Sequence, residues 1–183
     1  MSTILFQNAD ILDGRSDEAL AGHHVLVENG EIREVSDKPI QSSSAVVIDL
    51  AGKTLMPGLI DCHVHVIATT TNLAVNAELP NTLVALRSAK IMRDMLMRGF
   101  TTVRDLGGAE YGLVQAIEEG LIEAPRLVIC AKALSQTGGH TDYRGRYHAR
   151  SVDYYAERAG ALGRVVDGVD ALRRAAREEI KGG

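Results

Sequence analysis

Apolar and polar residues alternate in short runs up to about residue 54, the period of half-buried strands, and beyond that point short apolar runs alternate with stretches of helical period. Residues 25–28 and 31–35 flank Asn29-Gly30, the pair that best supplies the positive φ angles of a type I′ hairpin turn. A two-residue turn sets Val27 opposite Ile32, and Gln41-Ser42-Ser43-Ser44 reads as a loop before a further strand. Past Leu55 the chain reads as a strand ending near residue 65 and then a helix from Asn81, as its cap, to about Arg98. Leu83, Val84, Ile91, Met95 and Leu96 supply that helix's apolar positions and Gly99 stops it, with Met92, Met95 and Met97 as core filler. Phe100 to Asp105 is a second strand, Tyr111 to Glu119 a second helix closed by Gly120, and residues 125–131 a third strand. Asp167 and Asp170 at N-cap and N3 spacing, with Val169, Leu172, Ala176 and Ile180 on one side, predict a third helix ending at Gly182-Gly183. Strand and helix repeated three times predict an α/β fold with a parallel sheet.

The connection between Lys132 and Gly168 is long for a βα loop, and such loops are commonly functional or disordered. It contains Gln136-Thr137-Gly138-Gly139-His140-Thr141-Asp142-Tyr143, where two glycines allow a sharp turn and leave room beside the histidine. Following a strand, it falls on the face where barrel enzymes place their chemistry.

The candidate chemistry concentrates in Met56-Pro57-Gly58-Leu59-Ile60-Asp61-Cys62-His63-Val64-His65. Side chains alternate along a strand, so His63 and His65 share a face while Val64 points away. Two neutral imidazoles on one face suit a divalent metal, zinc first. His-x-His alone fits a structural pair as well, provided other polar groups satisfy the rings. Cys62 lies off that face and is not counted as a ligand, and Cys62 and Cys130 read as buried small hydrophobes without a disulfide.

The segment from Ala45 through Gly52-Lys53-Thr54-Leu55-Met56-Pro57-Gly58-Leu59-Ile60-Asp61 into the histidines closely resembles the barrel entry of the amidohydrolase superfamily, which comprises metal-dependent hydrolases. Asn8-Ala9-Asp10-Ile11-Leu12-Asp13-Gly14 and Val25-Leu26-Val27-Glu28-Asn29-Gly30-Glu31-Ile32 resemble the small β domain built before that barrel. The resemblance implies a small β-sandwich domain over residues 1–54, followed over 55–183 by the first three βα units of a TIM-like (β/α)8 barrel. A complete barrel needs about 250 residues, so this chain of 183 is expected to be the N-terminal part of a longer enzyme.

The resemblance further implies that His63 and His65 hold one or two zinc ions. A bridging carboxylated lysine, two more histidines and a proton-handling aspartate would come from later strands; Lys181, at a helix end, reads as a surface lysine. Such a centre supplies hydroxide near neutral pH and polarises an amide carbonyl, while the aspartate passes a proton to the leaving nitrogen. Thr102-Val103-Arg104-Asp105-Leu106-Gly107-Gly108 and Gly138-Gly139-His140-Thr141-Asp142-Tyr143 are similar to the imidazolonepropionase-like branch, with its Xaa-Pro dipeptidases (prolidases) and N-acyl amino acid hydrolases. In that branch a histidine placed like His140 bonds the substrate carbonyl oxygen. Tyr143 lines the substrate pocket or anchors the loop, Arg104 and Asp105 are expected to form an internal salt bridge, and His23, His24 and His148 are expected at the surface.

The net charge of −4 is spread through the chain and leaves no basic footprint for nucleic acid or anionic membrane; Arg173-Arg174-Ala175-Ala176-Arg177, balanced by Glu178 and Glu179, reads as a solvated helix face. No apolar run reaches membrane-span length and the start lacks signal-peptide features, so the cytoplasm is the expected location, while the resemblance implies a homo-oligomer acting on a dipeptide or other small molecule. A cyclic amidase or deaminase shares the same barrel entry, and a truncated, non-catalytic module is the alternative outside enzymology.

Overall fold

The alternating N-terminal region folds as one mixed sheet. In the computed structural model, which describes residues 2–183, the chain forms two compact units, one through Pro57 and the other Gly58–Gly183. The first contains β1 (Thr3–Ile11), β2 (Leu20–Glu28), β3 (Glu31–Ser36), β4 (Val46–Asp49) and β5 (Thr54–Leu55). Their order is β3-β2-β1-β4, with β5 also on β1; β2 runs antiparallel to β1, while β4 and β5 run parallel to it. Asn29 and Gly30 both take positive φ, and Val27 pairs with Ile32, the register the turn dictates. Leu5, Leu26 and Ile40 form this unit's core, with Ala45 packed against them. His24 corrects a surface expectation: it is buried beside Val25 and Leu26, and its Nδ1 has no hydrogen-bond partner among the described residues.

The second unit begins with β6 (Leu59–Val64), α1 (Leu73–Glu78), α2 (Asn81–Met97), β7 (Phe100–Asp105), α3 (Tyr111–Glu118) and β8 (Arg126–Ile129). It continues through β9 (Ala133–Ser135), α4 (Asp153–Ala156), β10 (Gly163–Val165) and α5 (Val169–Gly182). Strands β6, β7 and β8 lie side by side in parallel, so all three deliver their C-terminal ends to one face. Val103 and Leu127 point from the sheet into a core shared with Val66, Ile67, Val84 and Met92, which is how α2 closes over it. Central β7 is covered best; β6 and β8 are edges, which is why Cys62 and Cys130 are exposed free thiols rather than core residues.

Two helix starts differ from the sequence reading for one reason: the expected cap residue is engaged elsewhere. Asn81 is the first helical residue of α2, and its Oδ1 accepts from the Ala159 amide at 3.0 Å, leaving Pro80 at the cap. Asp167 turns back to accept from the Thr137 amide, and Gly168, with φ of 84°, occupies the cap of α5. Met92 is core and Met95 packs against it, but Met97 in the last turn of α2 is 70% exposed. On α5 only Ala175 is buried, with Val169, Leu172 and Ile180 exposed. The long connection is ordered, because β9 and β10 pair in parallel, Ala133 opposite Gly163. No helix among the described residues is long and apolar enough to cross a membrane.

Candidate metal centre and the loops around it

His63 lies near the end of β6 and His65 directly follows it, where the strand gives way to the turn at Val66 and Ile67. Their ring centroids are 5.4 Å apart at an interplanar angle of 80°. The alternation of a strand therefore brings the two rings together. His65 Nδ1 donates to the Gly107 carbonyl oxygen at 3.3 Å, which leaves Nε2 with its lone pair free. A neutral ring oriented through one nitrogen is the state in which histidine binds a metal. The donor chemistry of two imidazoles fits a divalent ion, and among the described residues no group of three His, Cys, Asp or Glu gathers in metal-binding geometry.

Asp105, at the end of β7 and expected from the sequence to pair with Arg104, has different partners. It is fully buried and forms no salt bridge with Arg104. Instead Oδ2 accepts from the Val66 amide at 2.6 Å, and Oδ1 accepts from the amides of Gly107 at 2.9 Å and Ala109 at 3.3 Å. Burial pushes its carboxyl above the ordinary value, and the three amide bonds and nearby His65 pull the other way. The carboxylate thus fixes both the residue after His65 and the residue whose carbonyl orients the His65 ring. Gly107 packs closely, since a Cβ there would come within 3.0 Å of the Leu162 carbonyl oxygen and make an ordinary contact with His65 Cε1 at 3.5 Å.

His140 is exposed on a turn held by Asp142 and Asp167. The Gly139 amide bonds the Gln136 carbonyl and the Asp142 amide bonds the Gly139 carbonyl, while Asp142 Oδ2 accepts from the Gly138 amide at 2.9 Å. Arg144 grips Asp142 through Nε at 2.8 Å and Nη2 at 2.7 Å, which holds the Asp142 carboxyl well below the usual carboxylate range. Tyr143 is placed as an anchor: its hydroxyl accepts from the Leu162 amide at 3.3 Å, and its ring meets Tyr155 edge-on at 5.7 Å. Burial raises its phenol pKa. The structure brings His63 and His65 together, whereas His140 shares no hydrogen bond or ring contact with them among the described residues.

Lys132, just past β8, is buried, and its Nζ donates to the carbonyls of Arg158 at 2.7 Å and Ala161 at 2.8 Å. Burial pushes its pKa down, with Glu110 opposing. His148 lies in an exposed turn, its Nδ1 accepting from the Gly145 amide, and Lys181 is exposed near the end of α5.

Residues 54–183 match the amidohydrolase family. The chain belongs to that family. Its fold is the opening of the family's barrel, preceded by the β unit. An amidohydrolase of solved structure is 57% identical with a TM-score of 0.92, and this chain in full aligns to 45% of it. A prolidase solved with N-methylphosphonate-L-proline is 49% identical with a TM-score of 0.93, again over all of this chain and 45% of that one. The ochratoxinase of Aspergillus niger is 33% identical over 146 residues, 70% of this chain and 29% of its own length. The chain thus spans under half the length of these relatives. The family generally uses divalent metal ions, and His63 and His65 are the pair in this amidohydrolase chain suited to hold one.

Proposed function

We propose that the protein is a metal-dependent amidohydrolase that cleaves a peptide or N-acyl amide bond, with Xaa-Pro dipeptides as the leading substrates and N-acyl amino acids next. One observation carries the reading: His63 and His65 lie with rings 5.4 Å apart at the C-terminal edge of a parallel sheet, with His65 Nδ1 committed to Gly107. The choice of prolyl substrates is supported by 49% identity to a prolidase solved with a proline phosphonate.

Zinc bound there supplies Lewis acidity and the attacking water. The chain's own residues prepare the rest. Asp105 holds the Val66 and Gly107 amides, and so keeps His65 in one tautomer and one orientation. His140, presented on the Gly138-Gly139 turn, donates to the carbonyl oxygen of the scissile amide and stabilises the negative charge that develops on it. Tyr143 secures that turn through Leu162. The same reading places the protein in the cytoplasm as a homo-oligomer acting on small molecules.

The test is a panel of Xaa-Pro dipeptides, N-acyl prolines, cyclic amides and aminopurines offered to the zinc-loaded protein. The expected result is turnover of the first two classes, abolished in His63→Ala and His65→Ala with loss of bound zinc. Turnover confined to cyclic amides or aminopurines overturns the substrate assignment.

A further inference from the structure

Residues 158–162 lie outside every helix and strand, yet five of their backbone polar groups are held by distant side chains. Lys132 Nζ takes the carbonyls of Arg158 and Ala161, Asn81 takes the Ala159 amide, and Tyr143 takes the Leu162 amide. The Gly160 carbonyl goes to Asn76 Nδ2 at 2.7 Å, across 84 residues of sequence. Asn76 is fully buried in α1, and it uses all its bonding capacity. Nδ2 also donates to the Ile67 carbonyl at 2.9 Å, while Oδ1 accepts from the Thr69 amide at 3.0 Å and the Thr69 hydroxyl at 2.8 Å.

Three of these four bonds are local and would serve any core amide closing its own loop. The fourth reaches a different loop, and the chain makes room for it: Gly160 packs so closely on the Asn76 backbone that a Cβ would collide with the Asn76 carbonyl. Two short routes leave Asn76. One runs through Ile67 to His65, two residues away; the other runs through Gly160 and Leu162 to the Tyr143 hydroxyl, three residues beyond His140.

We propose that Asn76 is the positioning residue that fixes the His140 turn relative to the His63–His65 pair. Its effect on turnover rests on the amidohydrolase reading above; its effect on the turn does not.

The experiment compares Asn76→Ala, Gly160→Ala and the milder Thr69→Val in the zinc-loaded protein. It reads amide hydrogen exchange, zinc content, and kcat and KM on an Xaa-Pro dipeptide. Losing the Asn76–Gly160 bond is expected to speed exchange over residues 137–143 and at Leu162 about tenfold. Zinc content and the protection of the Val103 amide in β7 stay unchanged, and kcat falls while KM moves little. Because Asn76→Ala already removes the bond to the Gly160 carbonyl, the Asn76→Ala/Gly160→Ala double variant should be no worse than the more severe single one. Exchange that rises equally at Val103, or does not rise at 137–143, overturns the proposal. If Asn76→Ala does not fold, Thr69→Val decides by the same criteria. A loosened turn in a protein that hydrolyses no amide sinks the functional reading and leaves the coupling standing.

Discussion

The loop that follows β6 and the turn that carries His140 serve one face of the sheet but are held by opposite means. Around His65 the restraint is Asp105, a fully buried carboxylate shared among three backbone amides, with no cationic partner. Around His140 the restraints are Asp142 and Asp167, whose bonds to the Gly138 and Thr137 amides are solvent-exposed, with Asp142 also held in a part-buried pair with Arg144. Buried amide-to-carboxylate bonds are expensive to leave unmade, whereas hydrogen bonds that water can replace contribute less. On the reading proposed above, the first arrangement would keep a metal-binding imidazole in one geometry, and the second would hold the His140 turn less tightly.

The largest test of this contrast is Asp105→Ala, which orphans the amides of Val66, Gly107 and Ala109. At about 1–3 kcal/mol for each buried group left unpaired, a large fall in Tm is expected, and zinc affinity should drop about 10- to 100-fold, measured by competition with a chromophoric chelator. Unchanged zinc affinity would break the comparison at its stronger half. Gly107→Ala comes next, because its Cβ presses on the Leu162 carbonyl oxygen and can shift the Gly107 carbonyl that holds His65. Zinc affinity should fall a few-fold by the same titration, with the fold retained. Asp142→Ala should leave zinc affinity untouched and lower turnover several-fold, because it releases only the His140 turn.

Acid is the gentlest probe. Arg144 holds the Asp142 carboxyl below its ordinary value, so the stabilisation it gives is complete above about pH 4 and is lost as pH falls through the lower folded value. Exchange over residues 137–143 should therefore quicken below about pH 3, and 1 M salt near neutral pH should loosen the same turn slightly. Residues 65–68 staying as they were in salt sharpens the contrast; both loops loosening together erases it.

The parts legible in the sequence were those governed by period and by turn chemistry. Alternation placed His63 and His65 together, Asn29-Gly30 set the hairpin register, and apolar period located α2, β7, α3 and β8. What escaped were side chains that serve backbone groups far along the chain. Asp105 beside Arg104 reads as an ion pair until the amides of Val66 and Ala109 are seen to converge on it. Asn76, Asn81 and Lys132 lie in or beside regular elements and work on residues 157–161, so no local pattern marks them. Asp167 has the spacing of a cap, and only tertiary contact reveals that Thr137 takes its carboxylate instead. Strands β9 and β10 have three residues each, too few for a period to register.

The mixed direction of the N-terminal sheet also sets the order in which it assembles. Strands β2 and β3 meet across the two residues Asn29 and Gly30, a closure that takes roughly microseconds in isolated hairpins. Strand β1 must wait for β4, since Ile4 pairs with Val46 and Phe6 with Ile48 across most of the unit's length, and such distant pairings slow folding through the entropy of closing the chain between them. The hairpin is therefore the expected seed and the β1–β4 seam the last join. Substitutions in Val25 or Val27 should slow folding, whereas substitutions in Val46 or Val47 should chiefly hasten unfolding.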